Sequence, residues 1–116
     1  MSENFAPLRR ITVPTLAVLA VLLREDHRWF GLRIAEELGM RTASVYPILA
    51  RLEKAGWVTA TWEVPSATHD SGAPRKYYAL TEPGRESAKA VLAAREEVMA
   101  RHQRSASLLS RAGYGH

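Results

Sequence analysis

The first third of the chain is built from apolar runs separated by short polar breaks. The run from Leu16 to Leu23 predicts a buried first helix that ends near Arg24, with Pro14 in its first turn. At eight residues the run is far shorter than the roughly 20 that a membrane span needs, so no membrane partner is expected. A charged turn follows, and residues 29–38 predict a short second helix that begins at one of two aromatic residues.

The next segment carries the most informative spacing in the chain. Ala35 lies four positions before Gly39, and Val45 and Ile48 follow ten and thirteen positions after Ala35. A small residue lets two helices approach closely, and glycine adopts the positive φ of a tight turn between them. This spacing is typical of a helix-turn-helix, whose second helix enters the major groove of DNA.

The third helix is predicted to have one apolar and one polar face. Thr42 is the expected N-cap and Gly56 the expected end of the helix. Its inward face is apolar and consists of Val45, Ile48, Leu49 and Leu52. Its outward face carries Ser44, Pro47, Arg51 and Lys54.

The alternation of residues 57–64 predicts a strand, with Val58, Ala60, Trp62 and Val64 on one side. A loop rich in Ser, Thr, Gly and Pro follows at residues 65–74, and residues 75–80 predict a second strand. A hairpin directly after a helix-turn-helix makes a winged helix. The expected fold class is therefore mainly α with a small β-hairpin, completed by a long C-terminal helix.

That long helix is predicted from a cap at Thr81 and an apolar stripe that repeats in steps of four and three residues. Because no other segment of the small domain remains for it to pack against, we expect a partner helix from a second copy. The residues expected to form the dimer interface are Leu16, Leu19, Val91, Leu92, Arg95, Val98, Met99 and His102.

These elements divide the chain into four parts. Residues 1–11 are expected to be a flexible basic arm, and residues 12–81 the winged helix-turn-helix. Residues 82–112 are the predicted dimerisation helix, and residues 113–116 a frayed tail.

Composition narrows the possible chemistry. The chain has 116 residues, a net charge of +4 and no cysteine, which suits one domain without disulfides or thiolate metal sites. The absence of a secretory signal suggests a cytoplasmic protein. The four histidines, His27, His69, His102 and His116, are too scattered to form a metal site. We find no catalytic triad, acid pair or phosphate-binding glycine loop, so neither an enzyme nor a cofactor is expected.

The candidate DNA contacts lie on the third helix and at the end of the wing. They are Arg41, Thr42, Ser44, Tyr46, Pro47, Arg51, Lys54, Arg75 and Lys76. Each has a plainer interpretation: the cations are also compatible with a solvated surface, Ser44 with a helix cap, and Tyr46 with a half-buried ring. Trp29, Trp57 and Trp62 fit core packing better than the wall of a ligand pocket.

Two segments resemble the PadR family of transcriptional regulators, in its small subclass. Residues 45–58 contain a Tyr-Pro pair and an Arg-Leu-Glu-Lys sequence, and residues 72–84 contain Arg-Lys-Tyr-Tyr before Leu-Thr. The resemblance implies a homodimeric repressor with Ser44, Tyr46, Arg51, Arg75 and Lys76 facing DNA. It also implies a response to a small hydrophobic or aromatic effector.

Two functions therefore stand as hypotheses. In the first, two recognition helices read a palindrome with half-sites about one helical turn apart, and a ligand releases DNA by changing the angle between them. In the second, the chain is a protein-interaction module without DNA binding. That alternative draws on the acidic residues near the same face, Glu36, Glu37 and Glu53.

Overall fold

The computed structural model describes residues 5–8, 10–64 and 74–110. These residues form four helices and a small antiparallel sheet. The helices are α1 (Val13–Arg24), α2 (Gly31–Leu38), α3 (Thr42–Lys54) and α4 (Glu82–Leu109). The strands are β1 (Trp29–Phe30), β2 (Val58–Trp62) and β3 (Lys76–Leu80), in the order β1-β3-β2.

Helix α1 is the centre of the core. Its first turn is closed by Thr12, whose Oγ1 accepts a hydrogen bond from the Thr15 amide at 3.3 Å. Val18, Leu19 and Leu22 are buried against the rest of the domain. The predicted first helix is confirmed, and it ends in the charged turn that the sequence indicated.

The turn between α2 and α3 confirms the helix-turn-helix. Gly39 has a φ of 65°, and its amide donates to the Glu36 carbonyl at 3.3 Å. Ala35, Val45 and Ile48 are all buried, as their spacing predicted. Gly56, with a φ of 80°, turns the chain just after α3.

Two predicted boundaries are wrong. Helix α2 begins at Gly31 rather than at Trp29 or Phe30, because those two residues are extended and pair with β3. Thr42 is the first residue of α3 rather than its cap, and Ser44 is not the cap either. Arg41 occupies that position, and its carbonyl accepts hydrogen bonds from the amides at Ser44 and Val45.

The sheet has one face toward the helices. The register pairs Val58 with Leu80, Ala60 with Tyr78, and Trp62 with Lys76. Since neighbours two apart share a face, these six residues lie on the same side of the sheet. Val58, Leu80 and Tyr78 are buried there. The predicted loop at 65–74, with His69, lies outside the described residues except for Pro74.

Trp57 joins α3, the sheet and the start of α4. Its amide donates to the Leu52 carbonyl at 2.8 Å, and its own carbonyl accepts from the Thr81 amide at 2.9 Å. Thr81 caps α4 as predicted, since its Oγ1 accepts from the Gly84 amide at 3.0 Å. The start of α4 is thereby fixed against the end of α3.

Residues 5–8 are docked, contrary to the expected flexible arm. The Phe5 ring stacks on Trp57 with 5.5 Å between ring centroids. The Trp57 Nε1 donates to the Ala6 carbonyl at 2.7 Å, and the Ala6 amide donates to the Ala55 carbonyl at 2.7 Å. The expectation of a flexible arm failed because the groups that hold residues 5–8, the Trp57 ring and the Ala55 carbonyl, are distant from them in the sequence.

Helix α4 divides into a packed part and a projecting part. Gly84 and Ala88 are buried within the chain itself, which corrects the expectation that α4 has nothing of its own to pack against. From Ala93 to Ser110 every residue except Ala100 is exposed. The helix of 28 residues is about 42 Å long, and the molecule measures 68 Å along its longest axis. No helix in the described part of the chain is long and apolar enough to cross a membrane.

The contact between Gly84 and Trp57 yields a stability prediction. A Cβ at Gly84 would lie 2.1 Å from the Trp57 carbonyl oxygen, a backbone atom that cannot move without disturbing α3 and β2. Gly84→Ala should therefore lower the free energy of unfolding by about 1–3 kcal/mol in a denaturant titration. Lys89→Ala, at an exposed position of the same helix, serves as the control and should unfold like the wild type. Equal stability of Gly84→Ala and the wild type would show that the contact is not as close as described.

Candidate nucleic-acid interface

Helix α3 presents one exposed face because its opposite face is fixed in the core. Val45, Leu49 and Leu52 are fully buried, and Ile48 nearly so. On the other side of the helix the predicted contacts Ser44, Tyr46, Pro47, Arg51 and Lys54 are exposed. Arg41 is also exposed, while Thr42 is half-buried. The sequence-predicted set on α3 thus forms one continuous surface.

Arg51 is oriented by α1. Its Nη2 donates to Thr15 Oγ1 at 3.4 Å, and the Thr15 and Thr12 hydroxyl oxygens lie 3.0 Å apart. Thr15 is a buried polar residue in the core. The guanidinium of Arg51 therefore lies beside the first turn of α1, at the edge of the α3 surface.

Lys76 connects the wing to α3. Its Nζ lies 3.5 Å from Glu53 Oε1 and 5.6 Å from the ring centroids of both Trp62 and Tyr78. The ion pair is partly exposed, so it contributes only a fraction of a kcal/mol, about 0–1. The position of the ion pair matters more, since it holds a cation of β3 directly beside α3.

Arg75 lies next to Lys76 on the wing. Its guanidinium carbon is 4.8 Å from the centroid of the Phe30 ring, and its amide donates to Glu63 Oε1 at 3.2 Å. Both predicted wing cations therefore contact aromatic rings of the sheet at the loop end of the hairpin.

A cleft of about 520 Å³ separates the wing from α2 and α3. We call it the wing cleft, and its lining residues are Phe30, Gly31, Leu32, Tyr46, Trp62, Pro74, Arg75, Lys76 and Tyr78. Three of its apolar residues are exposed: Leu32 at 49%, Tyr46 at 48% and Trp62 at 60%. The predicted DNA contacts Tyr46, Arg75 and Lys76 thus meet in one place.

Trp62 and Leu32 are the site residues that sequence reasoning missed. Core packing is correct for Trp29 and Trp57, which are 3% and 2% exposed, and wrong for Trp62. Trp62 shares a face with the buried Val58, but it lies at the far end of the strand, beyond the helices that cover the core. The alternating sequence pattern identified the face of the sheet on which Trp62 lies. It gave no indication of where along the strand the covering helices end.

Tyr78 forms the buried floor of the wing cleft. Burial raises the pKa of its phenol above the ordinary value, and the nearby Lys76 opposes that rise. Tyr78 is therefore an uncharged phenol at neutral pH, and the charge of the wing cleft comes from Arg75 and Lys76.

The residues predicted for dimerisation lie away from this surface. Arg95, Val98, Met99 and His102 are exposed on the projecting part of α4, while Val91 and Leu92, just before it, and Leu16 of α1 are half-buried. Leu19 is fully buried within the core of its own chain, so it has no surface to offer a partner and leaves the predicted set. Among the described residues no group of three His, Asp or Glu side chains is arranged to hold a metal ion.

Comparison with known proteins identifies similar folds. The sequence profile of the transcriptional regulator PadR-like family matches residues 18–90. A PadR-like transcriptional regulator from Bacillus cereus is similar with a TM-score of 0.65 and 21% identity, covering 79% of this chain and 89% of that one. The comparison with curated protein sequences found no significant match.

Two further solved structures are similar over a larger share of this chain. A mutant of Lactococcus lactis ZitR has a TM-score of 0.63 and 18% identity, covering 91% of this chain and 73% of that one. The adhesin competence repressor AdcR of Streptococcus pyogenes has a TM-score of 0.60 and 19% identity, covering 84% and 66%. At these identities the structural similarity shows the winged helix fold alone.

The contact between α2 and Tyr46 yields a prediction about the site. A Cβ at Gly31 would lie 2.3 Å from Cε1 of the Tyr46 ring, which is half-exposed and free to swing outward. Gly31→Ala should therefore keep the free energy of unfolding within about 1 kcal/mol of the wild type while displacing the ring. The displacement is measured as a change in the Tyr46 ring signals in an NMR spectrum.

Gly39→Ala serves as the control, because the effects expected on stability and on the Tyr46 ring are the reverse. Nothing lies within 4 Å of a Cβ at Gly39, but its φ is +65°, so this variant should lose stability without moving Tyr46. Unchanged Tyr46 signals in Gly31→Ala would contradict the close contact.

Proposed function

Because the chain belongs to the PadR-like family of transcriptional regulators, we propose that it binds double-stranded DNA as a homodimer and represses transcription. Family and fold are those of regulators rather than enzymes. The observation that supports DNA binding most strongly is the exposed face of α3, held in place by its fully buried opposite face and flanked by the wing cations. The proposal includes a cytoplasmic location, since a regulator must have access to the DNA that it binds.

The proposed contacts divide by the part of DNA that they meet. The start of α3, with Ser44, Tyr46 and Pro47, enters the major groove, since recognition helices read bases with their N-terminal residues. The cations Arg41, Arg51, Lys54, Arg75 and Lys76 meet phosphates or guanine edges. Thr42 contributes its hydroxyl at the first turn.

The projecting part of α4 supports the proposed homodimer. Val98 and Met99 are apolar residues on the projecting part of α4 and are 42% and 45% exposed. Pairing with the same helix of a second copy would cover them. Two such copies present two recognition helices to a palindrome with half-sites about 34–36 Å apart.

The proposed release of DNA follows from the same geometry. A small hydrophobic or aromatic effector that binds between the two copies changes the angle between their winged helices. DNA is then lost because the two recognition helices no longer fit adjacent major grooves.

Glu53 favours a second candidate function, docking of a protein partner on the same face. This carboxylate pairs with Lys76, and Glu36 and Glu37 are exposed on the neighbouring helix, so the face is not uniformly basic. In that case the α3 surface would bind a protein of mixed charge and leave DNA unbound.

Removal of two cations from α3 tests DNA binding. The double variant Arg51→Ala, Lys54→Ala should weaken DNA binding by about tenfold or more. Each phosphate contact that is removed reduces the number of counterions that binding releases from the DNA. Its plot of log affinity against log salt should be shallower by about two units. Binding is measured by mobility shift at several salt concentrations, on duplex DNA selected by the wild-type protein from a randomised pool.

The matched control removes the same charge elsewhere. Arg101→Ala, Arg104→Ala lies on the side of α4 opposite the Leu92–Met99 stripe and should bind like the wild type. Two results would contradict the proposed interface. One is a wild-type affinity for DNA that does not change with salt concentration, and the other is an equal loss of affinity in both double variants. Failure to select any duplex, together with loss of a protein partner in the α3 variant, would favour the docking function.

Charge on the exposed stripe of α4 tests the homodimer. Val98→Glu, Met99→Glu would place carboxylates in the proposed apolar contact, so the variant should sediment as a monomer at concentrations where the wild type is dimeric. Ala90→Glu, Ala93→Glu adds the same charge at two exposed positions on the opposite side of the helix and should stay dimeric. A dimeric Val98→Glu, Met99→Glu variant in analytical ultracentrifugation would place the interface elsewhere.

A further inference from the structure

We infer that the wing cleft holds a deoxyribose–phosphate segment of one DNA strand, with Trp62 packed against the sugar. The inference rests on the proposed DNA binding and extends it. It adds Trp62 and Leu32 to the interface and assigns them an apolar contact rather than an electrostatic one.

The first support is the exposure of large apolar side chains at one position. Leu32, Tyr46 and Trp62 come from α2, α3 and β2, yet all three line the wing cleft and are about half-exposed or more. Exposed apolar side chains scattered singly are ordinary, whereas a cluster with a polar rim marks a binding surface. The cluster lies beside the helix that the fold presents to DNA.

The second support is charge. Among the described residues that line the wing cleft, two are cations, Arg75 and Lys76, and none is a carboxylate. Contacts with the rings of Phe30 and Trp62 hold these cations at the aromatic wall. A DNA strand alternates anionic phosphates with weakly polar sugars, and this wall alternates cations with rings.

The third support is continuity with the α3 surface. Tyr46 belongs to the exposed face of α3 and also to the wall of the wing cleft. Trp62 and Lys76 are register partners on one side of the sheet, so they face α3 together across the cleft. A DNA strand that borders the major groove occupied by α3 would run directly between Tyr46 and Trp62.

Fluorescence quenching by acrylamide tests the inference directly. Of the three tryptophans, all described, Trp62 is 60% exposed while Trp29 and Trp57 are buried. The part of the quenching that disappears in Trp62→Phe therefore reports on Trp62. A saturating amount of the selected duplex should lower that part at least twofold, because the sugar excludes the quencher.

Affinity measurements at several salt concentrations provide the second test. Trp62→Ala should weaken binding by about tenfold with an unchanged salt slope, because the lost contact is apolar. Arg75→Ala should instead reduce the salt slope by about one. Val64→Ala is the control, since Val64 is 79% exposed near the wing and does not line the wing cleft.

These results distinguish a failure of this inference from a failure of the proposed DNA binding. A duplex that binds in the mobility shift and leaves Trp62 equally quenchable would overturn the strand contact while DNA binding stands. Shielding of Trp62 by benzoate and not by the duplex would also overturn it and would assign the wing cleft to a small aromatic acid. Failure of the wild type to bind any duplex would overturn both.

Discussion

The structure depends above all on the burial of one face of α3. Val45, Leu49 and Leu52 are fully excluded from water, and each such side chain stabilises the fold by about 1.5–3 kcal/mol. Rotation of α3 about its axis would expose them, so the orientation of the helix is fixed by the core. The direction in which Tyr46 and Arg51 point is therefore a consequence of packing on the opposite side of the same helix.

Trp57 extends this constraint to the rest of the chain. Hydrogen bonds and ring contacts join it to the end of α3, to the first turn of α4 and to the docked segment at residues 5–8. Because Gly84 has no side chain and lies directly against the Trp57 carbonyl, α4 starts in close contact with the end of α3 and the start of β2. A change in how two α4 helices pair would thus be passed on as a movement of the whole winged helix, which is what the proposed release by an effector requires.

Features set by local chemistry could be predicted from the sequence, and those set by distant parts of the chain could not. The turn at Gly39, the cap at Thr81 and the two faces of α3 follow from residue type and helical spacing. Strand β1 has only two residues, too few to show an alternating apolar and polar pattern, and it forms because it pairs with β3. The exposure of Trp62 likewise depends on where the helices that cover the sheet end. The DNA contacts are predicted from their positions on α3 and the wing, whereas the wing cleft required the three-dimensional arrangement of α2, α3 and the sheet.

The distance between the two recognition helices tests the account most directly. The chain has no cysteine, so Thr61→Cys, exposed on the face of the sheet opposite Trp62 and Lys76, gives a single attachment point for a spin label outside the proposed DNA contacts. Double electron–electron resonance on the labelled protein, with the selected duplex bound, should give one narrow distance that places the two α3 helices a turn of DNA apart, about 34–36 Å. Absence of dipolar coupling, or a distance that does not fit adjacent turns of the major groove, would contradict a dimer that reads DNA with paired α3 helices.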